Sequence, residues 1–141
     1  MAHSLATYIS LAGTTGEAME HWHDIFGGEL EILRYGEAGI EGMPFEPDPN
    51  AVAHATLTLP AGVIAGGDSM DPETDYPVRG SAYPMLYTTD TPDEARSYIA
   101  QFVAGGGEIG MPFEEAPWGD WYGQVFDRYG VMWSFACNAT K

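Results

Sequence analysis

Two matching helix-start motifs, one in each half of the sequence, constrain the fold of this chain more than any other feature. Residues 14–17 (TTGE) and 91–94 (TPDE) both follow the Ser/Thr-x-x-Glu capping-box pattern, in which the hydroxyl and the carboxylate each satisfy a free backbone N–H. Each motif is followed by an apolar stripe at helical spacing and then by consecutive glycines, which end a helix. When the sequence is moved along itself by one fixed number of residues, an offset, both the motifs and the glycines align. The chain is therefore predicted to contain a duplicated supersecondary unit.

Segments rich in β-forming residues surround both helices in the same order. They lie at residues 6–11, 29–35, 51–59 and 62–65 in the first copy, and at 82–88, 108–113, 121–126 and 131–137 in the second. The first segment of each copy precedes its helix, and the other three follow it. The sequence therefore predicts an α+β fold made of two βαβββ modules.

A second and shorter offset relates the later strands of the two copies. It places residues 62–63 on residues 130–131, and both pairs are Gly-Val. Because this offset is shorter than the one that places Thr14 on Thr91, the first copy is predicted to hold nine extra residues between its helix and its third strand.

The length of 141 residues and a hydrophobic content of 45% fit one domain with a buried core. We expect a single domain over residues 1–141, with module one at 1–70 and module two at 80–141. Residues 38–50 and 68–80 are predicted to be loops, and the second of them joins the modules.

The formal charge of −16 limits the classes of partner. A strongly negative chain repels nucleic-acid phosphates and anionic membrane surfaces, so we expect neither as a partner. No cationic segment followed by an apolar run opens the sequence, and no stretch approaches membrane-spanning length, so we expect a cytoplasmic protein. Cys137 is the only cysteine, which excludes a disulfide within one chain.

Short motifs along the chain resemble one branch of a known superfamily. They are FGGE at 26–29, RYGE at 34–37, HA at 54–55, MP at 111–112, WGD at 118–120, YG at 122–123 and DRYGVMW at 127–133. Together they are similar, over nearly the whole chain, to the PhnB-like branch of the vicinal oxygen chelate superfamily, which includes glyoxalases, extradiol dioxygenases and antibiotic-sequestering proteins. The resemblance implies a glyoxalase-like fold with cupped mixed β-sheets, helices on the outer face, a small-molecule ligand and assembly as a homodimer.

The same resemblance implies where a metal ion would bind, because metal-dependent relatives take His, Glu or Gln ligands from the first and last strands of each module. The predicted first strands, 6–11 and 82–88, contain no histidine, acid or amide. The last strands offer only Asp68 and Cys137 at their ends, and Ser134 stands roughly where relatives carry a metal-binding glutamate. We therefore expect no metal and no other cofactor, with a divalent ion held by other residues as the alternative.

Strand alternation identifies the side chains that face the predicted cup, because successive residues point to opposite faces of a sheet. The odd-numbered residues of segment 53–59 are apolar and suit the helix side, as do Ile9 and Leu11 in the first strand. The residues that alternate with these apolar residues then face the cup. The two offsets give the matching positions in the second module. The predicted lining is Tyr8, Ser10, His54, Thr56, Met85, Tyr87, Tyr122 and Gln124.

Three further residues are candidate ligand contacts. Trp118 and Trp121 are expected either to stack on a flat or sugar-like ligand or to cover the end of the sheet or a dimer interface. Arg34, one of five cations, is a candidate anchor for an anionic ligand, or a surface partner of Glu31 or Glu37.

Three functions fit these residues. The first is a small-molecule-binding module without the superfamily's metal, in which the lining residues contact the ligand. The second is a metal-dependent enzyme of the glyoxalase or dioxygenase type. The third is a metal-free lyase or isomerase in which His54, with Tyr122, acts as a general acid or base. Side chains that simply fill the cup are the alternative to all three.

Overall fold

The computed structural model describes residues 5–38, 48–69 and 83–138, so most of the two predicted loops lies outside the described residues. The chain divides into two compact units, Met1–Tyr76 and Pro77–Lys141. Each unit contains a four-stranded mixed sheet with a long helix between its first two strands, which confirms the predicted α+β fold. Within the described residues, no helix is long and apolar enough to cross a membrane.

The described residues of the first unit form four strands, one long helix and one short helix. In chain order these are β1 (Thr7–Ile9), α1 (Thr15–Phe26), β2 (Glu29–Arg34), α2 (Tyr35–Ala38), β3 (Val52–Leu59) and β4 (Gly62–Gly66). The sheet order is β1-β4-β3-β2, with β1 parallel to β4 and the other neighbours antiparallel. The core lies between α1 and this sheet, where Met19 and Trp22 of α1 and Ala55 and Leu57 of β3 are all 0% exposed.

The second unit repeats the four strands and the long helix. Its elements are β5 (Met85–Thr89), α3 (Pro92–Ala104), β6 (Glu108–Glu115), β7 (Trp121–Phe126) and β8 (Met132–Cys137). The sheet order is β5-β8-β7-β6, and β5 again runs parallel to the last strand of the unit. Phe102 of α3 packs against Trp133 of β8 with ring centroids 5.2 Å apart, so the apolar stripe of the helix meets aromatic residues of the sheet.

The two helices begin in different ways. At α3 the predicted capping by Thr91 is confirmed, because its hydroxyl oxygen accepts a hydrogen bond from the Glu94 backbone N–H at 3.3 Å. The Glu94 half of the capping box is wrong: its carboxylate accepts a hydrogen bond from the Thr91 hydroxyl at 3.0 Å rather than from a backbone N–H. At α1 the predicted capping by Thr14 is wrong, because its side chain makes no capping hydrogen bond.

Asp68, two residues after the end of β4, supplies the acceptor at the start of α1 instead. Its Oδ1 accepts a hydrogen bond from the Thr15 backbone N–H at 3.0 Å, and its Oδ2 accepts one from the Val52 backbone N–H at 2.8 Å. The carboxylate therefore joins the beginning of α1 to the beginning of β3. A negative charge at a helix N-terminus also interacts favourably with the helix dipole.

Candidate functional site

Each sheet has one face against its long helix and one face opposite to it, which we call the open face. In the first unit the cross-strand pairs Tyr8–Ala65, Thr56–Ala65 and Glu31–Thr56 form one row across that face. The adjacent row pairs Leu33 with His54. The open face is accessible, since 54% of Tyr8 and 44% of Leu33 are exposed and His54 and Glu31 are exposed as well.

Tyr8, His54 and Thr56 lie together on the open face of the first unit. The Tyr8 and His54 rings are stacked, with centroids 5.9 Å apart and planes inclined by 29°. The His54 Nε2 and Thr56 Oγ1 atoms are 3.2 Å apart and share a hydrogen bond whose donor depends on the tautomer of the imidazole. The structure thus brings together three of the residues predicted to face the cup.

Gly67 makes room for this arrangement. A Cβ atom at that position would lie 2.7 Å from the Tyr8 hydroxyl oxygen and 2.9 Å from the carbonyl oxygen of Ala53, and both distances are too short for any side chain. Sequence reasoning did not single out Gly67. The signal available was the glycine pair Gly66-Gly67 at the end of a strand, which marks a close approach of neighbouring atoms as well as a turn.

The open face also carries two carboxylates that sequence reasoning did not assign to it. Glu31 pairs with Thr56, and Glu29 pairs with Thr58, so both glutamates point to the same side of the sheet as the Tyr8–His54 pair. The alternation of β2, in which the exposed residues Glu29, Glu31 and Leu33 alternate with partly buried ones, is the signal that places them there.

The second unit has a neutral hydrogen-bonded group on its own open face. The Tyr122 hydroxyl donates to Ser134 Oγ at 2.8 Å and accepts a hydrogen bond from Gln124 Nε2 at 2.9 Å. Ser134 is 2% exposed, whereas Leu86, its cross-strand neighbour, is 65% exposed. Tyr122 and Gln124 alternate along β7 with Gly123 and Val125, which pair with the helix-side residues Phe135 and Trp133, so both lie on the open face.

The predicted orientation of Met85 and Tyr87 is wrong. Tyr87 pairs with the fully buried Phe135, and its ring centroid lies 5.2 Å from that of Tyr98 on α3, so both Tyr87 and Met85 point to the helix side. Burial, together with a hydrogen bond to Tyr98, raises the pKa of the Tyr87 phenol to about 12. Leu86 and Thr88 occupy the open face instead.

Met85 and Tyr87 lie on the face opposite to the predicted one because the first strands of the two units differ by one residue in their position relative to the helix motif. Tyr8 pairs with Ala65 and Leu86 pairs with Ser134, and these two pairs have the same place in their sheets, so Tyr8 corresponds to Leu86. The offset that aligns the two helix motifs places Tyr8 on Met85 instead, one position earlier. A shift of one residue moves every side chain of a strand to the opposite face.

The two candidate tryptophans lie in different surroundings. Trp121 stacks on Phe113 at 5.6 Å, and the Arg96 guanidinium of α3 lies 4.7 Å from its ring centroid, so Trp121 is engaged on the helix side of the sheet. Trp118 lies in the turn between β6 and β7 and is 73% exposed. The structure does not bring these two side chains onto one open face.

Arg34 and Ser10 also lie outside the row that Tyr8, Thr56 and Glu31 form on the open face of the first unit. A register shift after Leu33 pairs Arg34 with Val52, on the helix side, and the guanidinium donates a hydrogen bond to the carbonyl oxygen of Asn50 at 2.7 Å. A Cβ atom at Gly16 of α1 would lie 3.3 Å from Arg34 Nη2, which places the guanidinium beside the helix start. Ser10 follows β1 and is exposed.

The sequence model of the Glyoxalase/Bleomycin resistance protein/Dioxygenase superfamily matches residues 6–135 of this chain. The chain belongs to this superfamily. Among curated proteins, protein YjdN of Escherichia coli (strain K12) is 27% identical to it over 141 residues, which cover 92% of this chain and 91% of YjdN.

Solved structures show the same glyoxalase-like fold. Protein PA1353 from Pseudomonas aeruginosa superposes with a TM-score of 0.80 at 26% identity, and the match covers 99% of this chain and 100% of that one. The PhnB protein from Bacillus cereus superposes with a TM-score of 0.71 at 26% identity, covering 96% and 100% of the two chains. The predicted resemblance to the PhnB-like branch is confirmed.

Asp68, Cys137 and Ser134, the residues that the sequence offers near the expected metal positions, are engaged in other contacts or buried. Both carboxylate oxygens of Asp68 accept backbone hydrogen bonds, the Cys137 thiol is buried, and the Ser134 hydroxyl accepts a hydrogen bond from Tyr122. In the described ranges, no group of three or more His, Cys, Asp or Glu side chains is arranged to bind a metal.

Proposed function

We propose that this protein binds a small organic molecule on the open face of the first unit, without a divalent ion at the superfamily's metal positions. The observation that carries the proposal is the stacked and exposed pair Tyr8–His54, hydrogen-bonded through His54 to Thr56. Small-molecule sites combine aromatic surface with a few polar groups that fix the orientation of the ligand. The side chains of Tyr8, His54 and Thr56 together supply both the aromatic surface and the polar groups.

Each of the three residues makes a different physical contribution to binding. The exposed Tyr8 ring offers a flat surface on which an aromatic group stacks, an interaction that contributes about 0.5–1.5 kcal/mol beyond the burial of area. The imidazole of His54 and the hydroxyl of Thr56 offer a donor and an acceptor next to that surface. Membership of a superfamily whose name includes bleomycin resistance proteins also supports binding of an organic compound.

A second function, metal-free acid–base catalysis by His54, is favoured by one observation. The imidazole is exposed and its Nε2 is held by Thr56, which orients the ring as a general acid or base requires. Tyr122, the predicted partner of His54, belongs to the second unit, where its hydroxyl is engaged with Ser134 and Gln124. The pairing of His54 with Tyr122 in catalysis stays a prediction.

Binding is tested by NMR with a panel of neutral and charged bicyclic aromatic fragments added to the full chain. We expect the signals of Tyr8, His54 and Thr56 to shift on titration, and Tyr8→Ala to abolish the shifts at the other two residues. Tyr129→Ala, which removes an aromatic ring that contacts Arg128 in a turn of the second unit, is the matched control. Shifts that map elsewhere, or that persist in Tyr8→Ala, would overturn the proposal.

The homodimer that the resemblance implies is part of the same proposal. On the second unit, Leu86 of β5 and Met111 of β6 are 65% and 47% exposed, and apolar side chains of this size are commonly covered when subunits associate. Light scattering of the purified chain is expected to give twice the mass of 15.3 kDa, and Leu86→Glu to lower it. A monomeric wild-type protein would refute the dimer and leave the ligand proposal standing.

A further inference from the structure

We infer that the open face of the first unit takes an aromatic ligand that carries a protonated amine, with Glu31 as its ion-pair partner, and that it discriminates against the corresponding carboxylate. This inference rests on the proposed function, because it names the charge of the molecule that stacks on the Tyr8–His54 pair.

The position of Glu31 provides the first argument. Glu31 is directly opposite Thr56 in the sheet, and Thr56 is hydrogen-bonded to His54. Side chains directly opposite in an antiparallel pair have Cβ atoms about 4.5–5.5 Å apart. A charged group on a ligand that stacks on Tyr8 and His54 therefore lies within reach of the Glu31 carboxylate. Glu29, two residues along the same strand and on the same face, adds a second negative charge.

The positions of the cations provide the second argument. Arg34 is the one lysine or arginine among the described residues of the first unit, and it lies on the helix side with its guanidinium bound to the Asn50 carbonyl oxygen. In the second unit, Arg96 pairs with Asp93 and covers Trp121, and Arg128 contacts Tyr129. The remaining two cations of the chain, Arg79 and Lys141, fall outside the described residues.

The carboxylates on the open face and the positions of the cations away from it decide the sign of the preferred charge. On the described open face of the first unit an anionic ligand would meet carboxylates with no lysine or arginine to balance them, and a phosphonate or carboxylate group would be repelled. An ammonium group would be attracted both by Glu31 and by the charge of −16 of the whole chain. The experiment has to separate these two sources of attraction.

The test uses three probes of nearly the same shape: tryptamine, indole-3-acetamide and indole-3-acetate, titrated calorimetrically into the full chain at pH 8 and equal ionic strength. We expect tryptamine to bind more tightly than the amide, and the amide more tightly than the acetate. Glu31→Gln is expected to lower the affinity ratio of tryptamine to acetate by roughly 2- to 5-fold, as for an exposed ion pair. Glu20→Gln, an exposed residue of α1 with the same change of charge, is the matched control.

Four outcomes would count against the inference. Equal binding of acetate and tryptamine would overturn it, and so would an equal effect of Glu31→Gln and Glu20→Gln, since the preference would then come from the net charge alone. If Tyr8→Ala abolishes binding of the amide while no charge preference exists, the proposed function stands and this inference fails. If none of the three probes perturbs the Tyr8–His54 face, both fail.

Discussion

The carboxylate of Asp68 accepts a hydrogen bond from the backbone N–H of Thr15 at 3.0 Å and so caps α1 from a residue 53 positions away in the sequence. The other oxygen of the same carboxylate accepts a hydrogen bond from Val52 at 2.8 Å. One side chain therefore joins the helix that covers the first sheet to the strand that carries His54.

Replacing Asp68 is expected to destabilise the protein substantially. Asp68→Ala removes a helix cap and leaves two backbone N–H groups without their acceptor, so we expect a loss of about 2–4 kcal/mol in the free energy of unfolding. Urea denaturation followed by circular dichroism measures the loss. Thr14→Ala is the control: because Thr14 makes no capping hydrogen bond, its replacement should cost less than about 0.5 kcal/mol. A larger cost for Thr14→Ala than for Asp68→Ala would contradict this assignment.

Gly67→Ala is expected to displace Tyr8. The new methyl group would lie 2.7 Å from the Tyr8 hydroxyl oxygen, so the ring must move or the strand must shift, at a cost of about 1–3 kcal/mol. Thermal unfolding and the NMR shifts of His54 measure the two consequences. Gly62→Ala, where no atom lies within 4 Å of the added group, should leave both unchanged. Combining Gly67→Ala with Tyr8→Phe should restore part of the stability, because the phenylalanine lacks the crowded oxygen.

The Tyr87 phenol is expected to ionise well above the ordinary range of a tyrosine. Its pKa is raised from the ordinary value of 10.0 to about 12, first by burial and then by the hydrogen bond with Tyr98. Since the folded-state pKa lies above the unfolded value, the protonated phenol stabilises the fold fully below pH 10, and this contribution is lost as the pH rises toward 12. Ultraviolet titration should show one late phenolate that disappears in Tyr87→Phe.

In Tyr98→Phe the hydrogen bond to Tyr87 is lost while most of the burial remains. The late ionisation should then occur at a lower pH than in the wild-type protein, because one of the two main causes of the shift is gone. An unchanged titration curve in Tyr98→Phe would mean that burial alone accounts for the raised pKa.

Added divalent metal is expected not to stabilise the protein. A ligand that binds the folded state alone raises the unfolding temperature in proportion to the logarithm of its concentration over its Kd. Because Asp68, Cys137 and Ser134 are engaged or buried, we expect no rise in Tm with Zn²⁺, Mn²⁺ or Ni²⁺ relative to protein treated with EDTA. A saturable rise in Tm, with metal retained through gel filtration, would contradict the metal-free proposal.

The repeat was sufficient to predict the order of the strands and long helices, and the short motifs were sufficient to indicate the superfamily. Helical stripes, glycine stops and alternating strands are local patterns, so their signal survives without knowledge of the tertiary contacts. The same patterns placed Tyr8, His54 and Thr56 correctly on one face, because the strands that carry them alternate cleanly between apolar and polar residues.

Cross-strand register and distant hydrogen bonds were decided by the tertiary structure alone. Three residues separate Tyr87 from the start of the second helix motif at Thr91, whereas four separate Ile9 from Thr14, and this difference of one residue reversed the faces of Met85 and Tyr87. The sequence of the strand alone does not reveal such a change, because its side chains alternate with a period of two in either register.

The repeated helix motif shows the same division between sequence and structure. Residues 14–17 and 91–94 carry the same capping pattern, and that pattern by itself determined that a helix begins at each place. Which group caps the helix depended on what the fold brings to it: Thr91 caps its own helix, while at α1 the carboxylate of Asp68 occupies that role. A local motif specifies that backbone N–H groups need an acceptor, and only the packed chain determines which acceptor reaches them.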